Sequence, residues 1–446
     1  QNLTFYKNRL GILSGENLIL SENAGFFNFF ATTVTQVLDT DPIDIAASGT
    51  QVNTLKNSVS FNETLLLFSD TAQYKLDHAG DTISPTTAIL NEVSSFEHDD
   101  SVTPVAAGRF AYFCQKRNNN TAVREYYADD DTLTNDGLDI TVAVQNLLPT
   151  NPYQIISNTI EDTLVFLHAD TNDTQTAPYT TGTAANPTNA DTMFIYKYFF
   201  DRGEKVQTAW SKWIFNGAKI IGGLSVDSYI YLLAVENTDT KLFRIDLRNL
   251  KDPTLGFGMY VDLKKTVTGT YDSATDLTTL TSPYGAKTGL IAIDNTNGTN
   301  YTLTNTTGST YTLVGNHTNV TIGVPYESKY VLSPQYIRED TGRGLVAVTS
   351  GRYQIRNISF DYENSGYFQV EVTPQNRNTN TTFMTGYVIG FTGAPNQVPL
   401  ATGTLRVPIQ CRNTDFTLEI KSSSHLPMYL ASAEVEGYYH RRSRRM

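Results

Sequence analysis

The acidic side chains Asp39, Asp41 and Asp44, grouped around Pro42, have the types and spacing to do chemistry. Carboxylates this close could hold a metal ion or work as a general acid and base. An Asp before Pro is also a standard turn start, where the carboxylate accepts hydrogen bonds from nearby backbone amides, and the structural role is the one assigned here. A second acidic run, Asp129-Asp130-Asp131 with Asp136 and Asp139 beyond it, hints at calcium. It lacks the acidic spacing and closing Glu of an EF-hand, so it reads as a solvated turn. The six His, at 78, 98, 168, 317, 425 and 440, form no metal-ligand pattern. A G-x-S-x-G elbow and a Gly-rich loop ending in Lys-Ser/Thr are also missing from the sequence, which leaves serine hydrolysis and NTP binding unsupported. Trp210 and Trp213 could stack on a sugar, or pack between sheets, and the packing role is preferred. The one dense basic cluster is Arg441, Arg442, Arg444 and Arg445, by default a solvated tail. No catalytic residue, metal or cofactor is expected.

The elements that would carry these side chains are β-strands. Hydrophobic residues are 40% of the 446 and charged residues 17%, with 26 Tyr and 22 Phe and abundant Thr, Asn, Ser and Gly. Thr, Tyr and Phe suit pleated, half-buried surfaces, whereas the residues that build exposed helices are not prominent. The length allows two to three domains. A net charge of −12 is the wrong sign for a protein that grips DNA by phosphate neutralisation. Cys114 and Cys411, almost 300 positions apart, read as buried free thiols from a reducing compartment, with a long-range disulfide as the alternative. No run approaches the roughly 20 apolar residues needed to span a bilayer. The chain begins Gln1-Asn2-Leu3 without Met and is expected to be a portion of a longer protein.

Residues 9–21 read as a hairpin closed at Ser14-Gly15-Glu16-Asn17, followed by an aromatic knot at Phe26–Phe30. Four units then share one grammar, an apolar strand, a polar turn and an alternating aromatic strand, with first strands starting near 65, 109, 163 and 228. Steps of about 45 to 65 residues match propeller blades with insertions; a double β-sandwich gives similar spacing. Residues 266–324 are dense in Thr, Asn and Gly, as in a small β domain or insertion, and its Asn-X-Thr triplets read as ordinary Thr-rich β surface. Short helices are expected only at 140–148 and 329–337. The fold class is therefore all-β: a β-propeller-like body over 1–250, a Thr/Asn-rich β insertion or small β domain over 251–330, and a C-terminal antiparallel sandwich or barrel region over 331–446 that returns to the body.

The block Asn8-Arg9-Leu10-Gly11-Ile12-Leu13-Ser14-Gly15-Glu16-Asn17, with Ser21, the Phe26–Phe30 knot and Asp39-Thr40-Asp41-Pro42-Ile43-Asp44, closely resembles a signature of the tail tubular protein B (nozzle) family of short-tailed bacteriophages. Val324-Pro325-Tyr326-Glu327-Ser328 and the terminus from Ala431 to Arg445 are similar to that family as well. The resemblance marks Arg9, Leu10, Gly15, Phe27, Phe30, Asp39, Asp41, Pro42 and Asp44 as motif residues of mainly structural role. It makes Arg441, Arg442, Arg444 and Arg445 candidates to face a partner or DNA. It implies a homo-hexameric ring at the distal end of the virion tail, assembled in the host cytoplasm. That ring would meet a tail adaptor ring, tail fibres, the host cell envelope and, without sequence specificity, double-stranded DNA in transit. The function expected is a nozzle that retains and then conducts the genome, not an enzyme. The alternatives are a propeller-type adhesin that binds host glycan and an all-β glycosidase, for which no pair of carboxylates stands out.

Overall fold

The structure, a computed structural model, describes residues 2–33, 35–48, 53–61, 63–78, 83–128, 135–169, 189–202, 204–215, 217–236, 239–340, 342, 344–386 and 398–441. The chain divides into two compact units, Gln1–Arg248 and Asn249–Met446. No helix among the described residues is long and apolar enough to cross a membrane.

The first unit is a run of antiparallel meanders in sequence order. Sheet 1 holds strands Asn2–Tyr6, Arg9–Ser14, Asn17–Leu20 and Ile43–Ala46. Sheet 2 holds Leu55–Phe61, Thr64–Ser69, Gln73–His78 and Ala88–Ser94. Sheet 3 holds Val105–Ala107, Phe110–Arg117, Asn120–Ala128 and Asn135–Asp139. Sheet 4 holds Pro152–Asn158, Thr163–His168, Thr192–Asp201 and Glu204–Ile214. Sheet 5 has three strands, Ala218–Val226, Tyr229–Glu236 and Asp239–Asp246. The first strand of each sheet lies beside the first strand of the next, which is how propeller blades stack around an axis.

The apolar pattern explains this stacking. Side chains alternate across a strand, so a strand between two neighbouring sheets must be apolar on both faces. Leu65 and Leu67 pack toward sheet 1, while Leu66 and Phe68 pack toward sheet 3. Likewise Ala111 and Phe113 face sheet 2, and Tyr112 and Cys114 face sheet 4. Leu164 and Phe166 face sheet 3, and Val165 and Leu167 face sheet 5.

The array is propeller-like but open. On its outer side sheet 1 exposes Leu3 and Phe5, and sheet 5 exposes Leu224, Val226, Leu233 and Leu242. Cross-strand register places the last four on one face (Leu224↔Tyr231, Val226↔Tyr229 and Leu233↔Leu242). Five sheets occur where the sequence suggested four units. The apolar starts near 65, 109, 163 and 228 are second strands, and the hairpin at 9–21 belongs to a further sheet.

The second unit contains two face-to-face β arrangements. In the first, strands Asp262–Thr268, Ile291–Asp294, Asn300–Thr302 and Asn319–Val324 pack on Thr270–Asp272, Leu277–Thr281, Thr304–Thr307 and Thr310–Val314. Leu280, Ala292, Tyr311, Leu313, Val320 and Ile322 fill the space between them. In the second, Ser328–Leu332, Phe416–Ser422, Tyr367–Pro374 and Asn380–Thr385 pack on Ala401–Arg412, Gly351–Ser365 and Tyr429–Arg441. Its core is built on Ile358, Phe360, Phe368, Val370, Leu418 and Ile420.

The helix expected at 329–337 is instead strand Ser328–Leu332, paired from Ser328↔Ser422 to Leu332↔Leu418. Tyr330 and Val331 favour the pleat, and a partner strand overrides any local helical pattern. At 140–148 the helix shrinks to one 3-10 turn, Val142–Val144.

Candidate functional site

Two of the acidic motif residues of sheet 1, Asp39 and Asp41, meet one buried cation, Arg9, through their backbone carbonyls. Arg9 opens strand Arg9–Ser14 and is 1% exposed. Its Nη1 donates to the carbonyl oxygens of Ser21 and Asp41, each at 2.7 Å, and its Nη2 to that of Asp39 at 2.7 Å. A longer bond of 3.5 Å reaches the carbonyl oxygen of Ile83, in the segment that precedes strand Ala88–Ser94 of sheet 2. Burial pulls the guanidinium pKa down, and the nearby Asp41 and Glu22 carboxylates push it back up. Planar, rigid and weakly hydrated, guanidinium suits this post better than an ammonium.

The acidic turn is organised around the same hub. Asp41 Oδ2 accepts from Leu38 N at 2.9 Å, and Asp44 Oδ1 accepts from Asn17 Nδ2 at 2.7 Å. Pro42 leads into strand Ile43–Ala46, whose register Leu20↔Ile43 closes the sheet. Asp39 and Asp41 thus meet Arg9 through their backbone carbonyls, and their carboxylates do not converge on a metal-like centre. Among the described residues no group of three His, Cys, Asp or Glu does. Gly15 adopts φ 62° at the first central position of the two-residue turn between paired Ser14 and Asn17, a conformation that favours glycine.

The aromatic knot faces outward. Phe27 is 91% exposed and Phe30 82%. Phe26 meets Phe5 edge-on at 5.4 Å between ring centroids. Half-buried Leu10 is paired with Phe5 across the strands, so it lies on the face that carries Leu3 and Phe5. The signature block therefore has a buried polar anchor on one side and an unpartnered apolar surface on the other.

A second constellation was not foreseen. Lys205 lies between sheets 3 and 4, its Nζ 4.8 Å from the Phe110 ring centroid and within 6.0 Å of the Tyr112, Tyr196, Tyr198 and Phe200 rings. It pairs with Glu125, which also accepts from the Tyr112 hydroxyl at 2.8 Å. Burial, then the Glu125 charge, pushes the Tyr112 pKa strongly up. This cage is already filled by a cation of the chain and joins two sheets. Eighty positions separate Glu125 from Lys205, and only the stacking of sheet 3 on sheet 4 brings them together.

Trp210 is also internal. Its Nε1 donates to Ile140 O at 3.1 Å, and its ring packs 4.8 Å from Tyr196 and 5.4 Å from Phe166, so it offers no sugar platform; Trp213 is 37% exposed. Cys114 is buried and Cys411 partly exposed, and both are free thiols. Asp129-Asp130-Asp131 and, of the basic terminus, Arg442, Arg444 and Arg445 lie outside the described residues. Arg441 ends strand Tyr429–Arg441, in register with Gly351. Near it lie Arg352, Arg377 and Arg412, scattered in sequence but lining one concavity.

The family described as bacteriophage nozzle protein matches residues 1–446. Tail tubular protein gp12 of Escherichia phage T7 is 30% identical over 459 residues, covering 98% of this chain and 55% of that protein. The chain thus spans about half the length of this curated relative. Among solved structures, Hsv2 of Kluyveromyces lactis aligns with a TM-score of 0.33 and 11% identity, over 55% of this chain and 59% of its own. An exo-beta-1,3-galactanase of Phanerochaete chrysosporium aligns with a TM-score of 0.23 and 8% identity, over 97% of this chain and 96% of its own. Likenesses this distant say nothing about activity.

Proposed function

The chain belongs to the bacteriophage nozzle protein family, and from that premise we propose that it is a structural subunit of a short phage tail, six copies of which form a ring that retains and then conducts the viral genome. The role is mechanical, not catalytic. The observation that carries it is the pair of unpartnered apolar faces on sheets 1 and 5, with Phe27 and Phe30 beside the first. Apolar surface left open on a soluble chain marks a place where other protein packs, which suits a component of an assembly. Residues 1–250 serve as the propeller-like body and 251–330 as the nozzle domain or insertion. The signature residues Arg9, Gly15, Asp39, Asp41, Pro42 and Asp44 act by holding sheet 1 in shape, and Leu10, Phe27 and Phe30 act through their surface. The partners are the adaptor ring, the tail fibres, the host envelope and DNA in transit, in a virion assembled in the host cytoplasm. An acidic chain supports the conducting role, because a pore with little net positive charge avoids the counterion-release term that would trap DNA.

The test is the mass of the assembled protein in solution. A stable particle of roughly 300 kDa, six times the 49.5 kDa chain, is expected. A monomer with measurable affinity for host glycans would overturn the reading in favour of an adhesin.

A further inference from the structure

The second unit carries a concavity of ≈610 Å³ at one end of its C-terminal sandwich, lined by Arg352, Arg377 and Arg412 together with Gln375 and Asp415. The three arginines come from separate places: the start of strand Gly351–Ser365, the turn after strand Tyr367–Pro374, and the end of strand Ala401–Arg412. Register explains part of the convergence, since Gln354 pairs with Arg412. Strand Ala401–Arg412 bulges just before its end, opposite Ile355 and Asn357, with Gln410 at φ 52°. A bulge twists a strand locally and re-aims the side chains next to it.

Among the described residues, none of the three guanidinium groups has a hydrogen-bond or ion-pair partner. Other cations of the same sandwich do: Arg406 pairs with Glu436, and Lys421 with Glu371 and Glu419. Asp415 is the one carboxylate at the rim, and its Oδ1 accepts from the Thr414 hydroxyl at 2.7 Å. The rim therefore keeps a net positive charge in a chain of net charge −12.

We propose that this concavity is an anion site that takes phosphate groups of the DNA backbone. The inference rests on the conduit reading above. Guanidinium forks match phosphate oxygens in bidentate geometry. A single carboxylate would neutralise one of the clustered charges, whereas a duplex supplies one charge per about 3.4 Å along each strand. A polyanion can therefore engage all three guanidinium groups of the concavity in one passage. A site of three arginines in an otherwise acidic chain gives a weak, sequence-independent hold, which slows a strand without trapping it.

The experiment measures binding of the full chain to two duplexes of unrelated sequence by fluorescence anisotropy across a salt series. The variants are the triple R352Q/R377Q/R412Q and the single R412Q. All three side chains are exposed, so thermal unfolding should match the parent; if the triple variant is unstable, R412Q carries the test. Both duplexes should bind equally, and the slope of log affinity against log salt should shrink by about 0.9 per arginine removed, about 2.7 for the triple. Inorganic pyrophosphate should compete with duplex in the parent. Unchanged slope and affinity in the variants would overturn the proposal, as would a parent chain that binds labelled polyglutamate but no duplex. Particle mass, read on the same samples, separates this inference from the ring: intact rings with arginine-independent DNA binding sink the site alone.

Discussion

Arg9 offers the sharpest test of how the signature block works. Replacing it by Met keeps the length and the apolar stem but removes three 2.7 Å donor contacts to carbonyl oxygens and one longer contact. A hydrogen bond from a charged donor is worth about 1.5 to 3 kcal/mol net, so the three short bonds supply roughly 4.5 kcal/mol or more. Met regains some apolar burial, leaving an expected loss of about 4 kcal/mol in the stability of the first unit. For a unit of this size each kcal/mol lowers the unfolding midpoint by about 2 to 4 °C, hence a drop of about 8 to 16 °C. Calorimetry checks the midpoint, and hydrogen exchange should show lost protection at Leu10 and Ser21. Arg9→Lys keeps the charge but not the fork, and should fall between Met and the parent. A Met variant that unfolds within about 1 °C of the parent would refute the idea that this guanidinium holds the acidic turn to the sheet.

Burial holds both His98 and His168 at a folded pKa of about 4, against an ordinary value of 6.5. Between those values the unfolded chain binds protons that the folded chain refuses, so stability is full above pH 6.5 and falls as pH drops toward 4, by about 3 kcal/mol per histidine. Unfolding midpoints should stay level from pH 7.5 to about 6.5 and decline from there to 4.5, and a profile flat throughout would contradict the burial of these rings. Lys205→Met should cost about 3 to 5 kcal/mol by leaving Glu125 buried and unpaired, while Glu125→Gln with Lys205→Met should recover most of it. Denaturant titration of both variants checks this, and equal losses in the single and double variants would show that the pair is not coupled. Burial raises the Cys114 thiol pKa strongly, so maleimide should label native protein at Cys411 and spare Cys114, read by peptide mass spectrometry. Rapid labelling of both would contradict the packing of sheet 3 on sheet 4.

The strands that the sequence shows most clearly are those buried on both faces. Leu65–Phe68, Phe110–Phe113 and Thr163–Leu167 read as continuous apolar runs because each lies between two neighbouring sheets. Their first-strand neighbours were hidden. Lys56, Asn57 and Ser58 in Leu55–Phe61, and Gly222 and Gly223 in Ala218–Val226, give no apolar run, so the unit boundaries were placed one strand late. The anchor was half visible: spacing drew attention to Asp39, Asp41 and Asp44, but the partner atoms are backbone carbonyls, which no side-chain pattern reveals. The Lys205 cage and the cluster of Arg352, Arg377 and Arg412 are invisible in the sequence, because their members come from different sheets and meet only when those sheets pack on one another. Ser328–Leu332 is a strand and not a helix because five residues carry too little periodicity to outweigh a partner strand supplied almost 90 positions later.

The most direct measurement of the central claim is an image of the assembled protein by single-particle electron microscopy. The expected result is a sixfold ring with a central pore. Particles with no pore, or single chains that never form a closed ring, would contradict it.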